Sequence, residues 1–202
     1  MRTEAVRLNF QLVVRNLVCF LATLLFFCAP ILAAEKYVFD EVHSIPQFEF
    51  NHLGVTTQTG RFDEAKGSVT IDFARHKGSV YYEIKAASLN MGYGTETPDS
   101  AGYRLFNVAV FPSIIFKSDK LIFSSNNEIT AARGALTLLG VTRPLTVSVS
   151  NFKCATSSVS GHKICAGQVK ATLLRSDFGM IQYLPGISDE IIITVPVEAH
   201  KE

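Results

Sequence analysis

GALTLLGVTRPLTVSV, residues 134–149, is the stretch that decides the fold class of this chain. On both sides of Gly140, apolar and polar residues alternate, which is the pattern of a strand with one face in an apolar interior and one in water. The stretch therefore predicts an antiparallel hairpin that turns at Gly140. Pro144 has no N–H to donate to a strand ladder, so we expect it at a strand start or on an edge.

Strand patterns of this kind follow one another at short intervals from residue 37 onward, and helical periodicity is almost absent. About nine to ten candidate strands in one domain, residues 35–202, predict an all-β sandwich or barrel. Residues 90–110 break the pattern, with glycines at 92, 94 and 102 and a proline at 98. They predict a short helix or lid around residues 97–108.

The first 34 residues resemble a secretory signal peptide. Residues 17–32 are uncharged and mostly apolar, three arginines precede them, and Ala33-Ala34 follows. This run is shorter than the roughly 20 residues of a membrane span, although an uncleaved anchor is the alternative. Removing residues 1–34 takes three basic residues and one acidic residue from a formal charge of +1, leaving −1. Without a basic excess, we expect no nucleic-acid partner.

Cys154 and Cys165 are the two cysteines left after the leader. An even pair in an exported chain predicts a disulfide, which would contribute on the order of 3 kcal/mol by closing a hairpin loop. A zinc pair is the alternative, but it needs two further ligands and only His162 is close in sequence.

Six motifs in order resemble the YceI-like family of periplasmic polyisoprenoid-binding proteins. They are Tyr37-x-Phe39-Asp40-x-x-His43-Ser44-Ile45, Phe50-x-His52-x-Gly54, Gly60-Arg61-Phe62, Phe111-Pro112-x-Ile114-x-Phe116-x-Ser118, Gly134-x-Leu136-Thr137-Leu138-x-Gly140-Val141-Thr142-x-Pro144 and Arg175-Ser176-Asp177-Phe178-Gly179. The resemblance implies a periplasmic, lipocalin-like antiparallel barrel of about eight strands. Its apolar cavity would hold a polyisoprenoid, an isoprenoid quinone or a similar long-chain lipid.

One region departs from that resemblance. Many family members carry an Arg-Asp-x-His-Leu pattern leading into Asp-Phe-Phe-Asp between positions equivalent to 88 and 108, whereas this chain has Glu96-Thr97-Pro98-Asp99-Ser100 and then Arg104-Leu105-Phe106-Asn107. Any head-group role of those charged residues therefore does not carry over to this chain.

Candidate ligand-binding residues are of three kinds: aromatic rings for the tail, arginines beside rings for a pyrophosphate, and histidines at motif positions. They are Phe48, Phe50, Phe62, Phe106, Phe116 and Phe178, then Arg61 and Arg175, then His43 and His52. Each also has a structural interpretation: ordinary core for the rings, an Arg175–Asp177 ion pair, and histidines bonded to backbone.

We expect no enzymatic activity, no cofactor and no metal site. Ser44 follows His43, but strand neighbours point to opposite faces, and Gly-x-Ser-x-Gly does not occur. His76, His162 and His200 are predicted to be solvated, and the histidines are too scattered to indicate a metal centre.

Two further hypotheses stay open. One is a hydrolase or isomerase that acts on a lipid at the barrel mouth, with His43 or His52 as the base. The other is an interaction protein whose segment 90–110 docks a membrane-associated partner.

Overall fold

The structure, a computed structural model, describes residues 34–92, 94 and 100–202; the predicted signal peptide, apart from Ala34, lies outside them. The strands are β1 (Glu35–Phe39), β2 (Gln47–His52), β3 (Thr56–Phe62), β4 (Ala65–Asp72), β5 (Lys77–Lys85), β6 (Leu89–Asn90), β7 (Ser113–Phe123), β8 (Ile129–Leu138), β9 (Val141–Thr156), β10 (Lys163–Leu174) and β11 (Glu190–Lys201). One helix, α1 (Ala101–Phe106), and two 3-10 turns, Ala86–Ser88 and Arg175–Phe178, complete the described elements. None of the helices in this part of the chain has the length and apolar character needed to cross a bilayer.

Eight antiparallel strands close into a barrel in the order β1, β4, β5, β7, β8, β9, β10, β11, and β11 pairs back with β1. At the closing seam Phe39 lies opposite Ala199 and Tyr37 opposite Lys201. The prediction of an all-β, antiparallel barrel of about eight strands is confirmed. The helix predicted within residues 97–108 is confirmed as α1, while residues 95–99 lie outside the described part.

Three strands continue the barrel upward at one end, which we name the upper end. β2 pairs with the first half of β11, β3 with β2, and β6 with β3. Because the directions match, β1 and β2, β4 and β3, and β5 and β6 each form one long strand with an interruption. The hairpins at residues 73–76, 124–128 and 157–162 lie at the opposite, lower end.

Two buried serines satisfy the backbone where these long strands are interrupted. The Ser44 hydroxyl donates to the Glu198 carbonyl and accepts from the Glu198 N–H, both at 3.1 Å. The Ser88 hydroxyl accepts from Glu64 N at 3.0 Å and donates to the Lys85 carbonyl at 2.7 Å. Buried backbone groups without partners are costly, so these serines let the strands bend without losing that stability.

The hairpin at Gly140 is as the sequence predicts. Leu138 pairs with Val141, and the two-residue loop has positive φ at both Leu139 (51°) and Gly140 (73°), as in a type I′ turn. Pro144 lies four residues into β9, in a section that pairs with β8 while the β10 pairing begins only at Ser148. This local edge tolerates a residue without an N–H.

The predicted disulfide is present between Cys154 on β9 and Cys165 on β10, which are direct cross-strand partners with Cα atoms 4.0 Å apart. It links the two strands next to the hairpin at residues 157–162. Because the two sulfur atoms are bonded to each other, Cys154 and Cys165 do not form the alternative zinc pair.

A charged cluster at the lower end ties the start of β1 to β10 and β11. The Glu35 carboxylate accepts from Lys163 Nζ at 2.8 Å and from Lys201 Nζ at 2.7 Å, and the Tyr37 hydroxyl also donates to it. These hydrogen bonds, led by those from Lys163 and Lys201, lower the pKa of Glu35 from 4.5 to about 2. Next to this cluster, Glu202 N donates to the Lys36 carbonyl at 3.0 Å, so the residue that follows β11 is also bonded to β1 at the seam.

Gly140→Ala is expected to lower the free energy of unfolding by about 2–3 kcal/mol, since positive φ costs an L-residue about 1–2 kcal/mol. In addition, a Cβ at this position would lie 2.7 Å from the Phe111 ring. Gly161→Ala is the matched control, because Gly161 has the same positive φ (72°) but no atom near its Cβ position. Urea unfolding checks both variants, and equal losses would contradict the role of the Phe111 contact.

Glu35 makes the barrel sensitive to acid. A carboxylate whose pKa is lower in the folded state stabilises the fold fully above its ordinary pKa of 4.5, and this stability is lost as the pH falls towards 2. We expect the loss to be about 1–2 kcal/mol, because the side chain is 26% exposed and solvent screens it. Glu35→Gln should reduce the change in the free energy of unfolding between roughly pH 5 and pH 2, as measured by urea unfolding. The exposed Glu128→Gln should leave the slope unchanged.

Candidate functional site

The interior of the barrel contains two adjoining apolar chambers, which together we name the lumen. The lower chamber, within the closed barrel, has a volume of about 150 Å³, and the upper chamber, at the upper end, about 440 Å³. Ile84, Leu136 and Ile193 line both chambers, so they mark the boundary between them.

The lower chamber is built by strand alternation. Along β11, Ile193, Val195, Val197 and Ala199 all face it, while the residues between them face outward. Its other walls carry the same kind of side chain, from Phe39, Val69, Ile71, Val80, Phe116, Leu121, Ile129, Ala132, Leu145, Val147, Val149, Phe152, Cys165, Val169 and Ala171.

Tyr82 places a hydroxyl group in this apolar wall, and the hydroxyl has a hydrogen-bond partner. Its O–H donates to the Ser44 carbonyl at 2.5 Å, at the interruption between β1 and β2. Burial raises the pKa of Tyr82 well above its ordinary value, which keeps the phenol neutral. The lower chamber is therefore suited to hydrocarbon.

Aromatic rings form the wall of the upper chamber. The centroid of the Phe62 ring lies 5.6 Å from that of Phe48 and 5.2 Å from that of Phe106, so rings from β2, β3 and α1 meet. Gly60 makes room for them: a Cβ there would lie 2.4 Å from Phe48 Cζ and 2.8 Å from Met91 Sδ. Only glycine allows the Phe48 ring to lie across this part of β3.

Helix α1 covers the upper chamber with Leu105 and Phe106. Ser100 caps its start by accepting from Tyr103 N at 3.3 Å, and the Tyr103 hydroxyl donates to the Ala87 carbonyl at 2.5 Å. The helix is thus attached to the 3-10 turn at Ala86–Ser88. Its six residues are consistent with the predicted lid in this segment.

Among the described residues that line the upper chamber, Arg175 is the charged one, and it is only 2% exposed. Its Nε donates to the Ser188 carbonyl at 2.9 Å, Nη1 to Met180 at 2.8 Å and Nη2 to Ile187 at 3.1 Å. Burial lowers the pKa of Arg175, and the nearby Asp189 charge opposes that effect. The side chain thus holds the loop that follows the 3-10 turn Arg175–Phe178.

The ion pair between Arg175 and Asp177, which the sequence left open, is not the arrangement found. The Asp177 side chain is exposed, and its carbonyl accepts instead from Arg143 Nε at 3.0 Å. Asp189 accepts from the backbone and hydroxyl of Ser176 at 2.8 and 2.7 Å, which lowers the pKa of Asp189.

Six of the predicted ligand contacts line the lumen. Phe48, Phe50, Phe62, Phe106 and Arg175 line the upper chamber, and Phe116 lines the lower one. Phe178 lines neither chamber; it is buried in the surrounding core with 3% exposure.

His43, His52 and Arg61, which are also predicted ligand contacts, do not line either chamber of the lumen. Arg61 Nε lies 2.6 Å from Asp63 Oδ1, and His43 Nδ1 lies 3.0 Å from Asp40 Oδ1, both at the surface. Gly60 and Phe62, the neighbours of Arg61 on β3, are on the side of the upper chamber. Because side chains alternate along a strand, Arg61 points outward. His52 is exposed at the end of β2.

Several residues of the upper wall were missed in the sequence. Met91, Leu105, Met180, Tyr183 and Ile187 come from loops or from α1, where no strand alternation indicates which side chains face inward. The alternation of Ile191, Ile193, Val195 and Val197 is a signal that identifies the contribution of β11.

Comparisons with known proteins agree with this architecture. The model of the YceI-like domain matches residues 37–199. A UPF0312 protein of Shewanella denitrificans is 28% identical over 173 residues, covering 84% of this chain and 89% of the relative.

Two solved structures show a similar fold. The Campylobacter jejuni YceI protein superposes with a TM-score of 0.61 at 22% identity, covering 75% of this chain and 90% of that one. A polyisoprenoid-binding domain from Saccharophagus degradans superposes with a TM-score of 0.55 at 17% identity, covering 82% of this chain and 98% of that one.

Arg175→Met is expected to lower the free energy of unfolding by about 3 kcal/mol or more, because three carbonyl oxygens lose a charged donor. Arg175→Lys should recover only part of this stability, since an ammonium does not reproduce the three-way geometry of the guanidinium. Arg61→Met is the control, and the loss of its exposed pair with Asp63 should cost under about 1 kcal/mol. Similar losses at both positions in urea unfolding would contradict the structural role of Arg175.

Proposed function

Because this chain belongs to the family defined by the YceI-like domain, we propose that it is a lipid-binding protein that carries or stores a long-chain isoprenoid in its lumen. An isoprenoid quinone or a fatty-acid derivative with a similar tail has the same chemistry. The observation that carries the proposal is the apolar lumen of two adjoining chambers, which extends from the roof formed by α1 into the closed barrel.

The tail alone provides enough free energy for binding. Burial of hydrocarbon contributes about 0.8 kcal/mol per methylene, so about twenty carbons contribute roughly 16 kcal/mol, against a cost of association of about 4–15 kcal/mol. The solved domain from Saccharophagus degradans that shares this fold is described as polyisoprenoid-binding, which supports the choice of tail.

Head-group recognition is proposed for Arg175. Its guanidinium has five N–H groups and uses three for backbone carbonyls, which leaves one N–H on each Nη for an oxygen of a polar head group in the upper chamber. The tail would then extend past Ile84, Leu136 and Ile193 into the lower chamber. This orientation places the polar end of the lipid beneath α1.

Export to the periplasm is part of the same proposal. The disulfide between Cys154 and Cys165 suits an oxidising compartment, in agreement with the signal peptide predicted in residues 1–34. We propose binding without turnover, since His43 and His52, the candidate bases, face away from the lumen. Delivery to a membrane-associated partner through segment 90–110 is the remaining part of the proposal.

The direct test is the identity of the bound lipid. The protein, purified without detergent, is extracted with organic solvent, and the extract is analysed by mass spectrometry. We expect one class of prenyl or other long-chain lipid at a stoichiometry near one per chain. A reproducibly empty protein that also fails to take up added long-chain prenyl diphosphate would refute the proposal.

Ile193→Trp tests whether the tail passes from one chamber into the other. The larger ring at the boundary is expected to weaken binding of a long-chain prenyl diphosphate at least about tenfold, while geraniol, short enough for the upper chamber, keeps most of its affinity. Calorimetric titration measures both affinities in the variant and in the unsubstituted protein, which contains no tryptophan.

Ile192→Trp is the matched control, because this neighbour on β11 faces outward and lines neither chamber. It should bind both lipids as the unsubstituted protein does. Equal effects of the two substitutions, or an unchanged affinity of Ile193→Trp for the long lipid, would contradict a tail that spans both chambers.

A further inference from the structure

We propose that Asp40, Glu198 and His200 form a binding site for a divalent transition metal ion, with Zn²⁺ as the best fit, on the outer wall of the barrel. Asp40 directly follows β1, and the other two residues lie two apart on β11, so both face outward. The site therefore lies at the seam where the first and last barrel strands pair. It is separate from the lumen and does not depend on the proposed lipid.

The ligand atoms have the spacing that a metal ion requires. His200 Nε2 lies 3.2 Å from Glu198 Oε1 and 3.6 Å from Asp40 Oδ2, and the ligand atoms of all three residues lie within 4.8 Å of one another. Zinc bonds to nitrogen and oxygen are about 2.0–2.2 Å long, which puts tetrahedral ligands about 3.4 Å apart. One imidazole and two carboxylates then leave a position for water.

The hydrogen bonding of His200 Nε2 also indicates a site for a cation. The atom is buried and makes no hydrogen bond, although two carboxylates lie close to it. If an imidazolium proton on Nε2 held the cluster together, this N–H would point at a carboxylate oxygen of Asp40 or Glu198. A ring nitrogen that lies 3.2 and 3.6 Å from two carboxylate oxygens without a hydrogen bond to either is instead the arrangement in which a cation satisfies all three groups.

Asp40 is oriented towards this position by its own loop. Its Oδ1 accepts from the backbone of Val42 and of His43, both at 2.8 Å, and lies 3.0 Å from His43 Nδ1, which leaves Oδ2 for the side of His200. Such support of a ligating carboxylate by neighbouring donors is typical of metal sites. We assign His43 this positioning role.

No sequence pattern indicates the site, since Asp40 and His200 lie at opposite ends of the domain and His200 is predicted to be solvated. The pairing of Val38 with His200 at the seam brings them together, and it leaves the His200 side chain only 39% exposed. A bound ion would tie the end of β1 to β11 and so stabilise the closed barrel.

The test uses the purified, disulfide-bonded protein after treatment with EDTA and dialysis, titrated with ZnCl₂ in a calorimeter. We expect one Zn²⁺ per chain and a rise in the melting temperature that grows with the Zn²⁺ concentration. His200→Gln, Asp40→Asn and Glu198→Gln should each weaken Zn²⁺ binding at least about tenfold, and His43→Gln should weaken it by a smaller factor.

His162→Gln is the matched control, because His162 is an exposed histidine of the lower-end hairpin. It should leave both the affinity and the melting shift unchanged. Circular dichroism and urea unfolding in the absence of Zn²⁺ establish that each variant is folded. Absence of stoichiometric Zn²⁺ binding, or binding that the three substitutions in the cluster leave unchanged, would overturn the proposal while the lipid-binding function stands.

Discussion

The pairing of β11 on both of its sides is the constraint on which the rest of this structure depends. On one side β11 pairs with β10 from Ile164–His200 to Leu174–Glu190, and on the other with β1 at one end and β2 at the other. This double pairing closes the sheet, and closure is what separates an inside from an outside along every strand. β11 contributes to the lumen with its inward-facing residues, and it contributes Glu198 and His200 to the cluster at the seam with its outward-facing residues.

The barrel also contains interruptions near Ser44, opposite the continuous strand β11, and near Ser88. At these interruptions the strand ladder is broken, and the side-chain hydroxyls take over hydrogen bonds of the backbone. Tyr82, whose hydroxyl donates to the Ser44 carbonyl, connects the interruption near Ser44 with the apolar lining of the lower chamber. A few satisfied polar groups therefore support a lumen made almost entirely of hydrocarbon.

The parts of the fold that depend on local periodicity were predictable from the sequence. Alternation on both sides of Gly140 predicts the hairpin and its inward residues, and the two cysteines predict the disulfide. In both cases the interacting residues are near in sequence, and the two cysteines are only 11 positions apart. The partners of Arg175 are carbonyls of a loop that follows it, and a motif that places an arginine beside a ring does not indicate which way the guanidinium points. The outward position of Arg61 was not predictable for the same reason. The surroundings of His200 depend on a pairing between the two ends of the domain.

The position of β11 after the other strands in the sequence has a consequence for folding. Its final residues pair with β1, next to the contact between Glu202 and Lys36. Until β11 pairs with both β10 and β1, the sheet is open and its apolar face is exposed to water. The interior is therefore enclosed only when strands from the two ends of the domain meet, so a substitution that weakens this seam exposes the whole apolar lining.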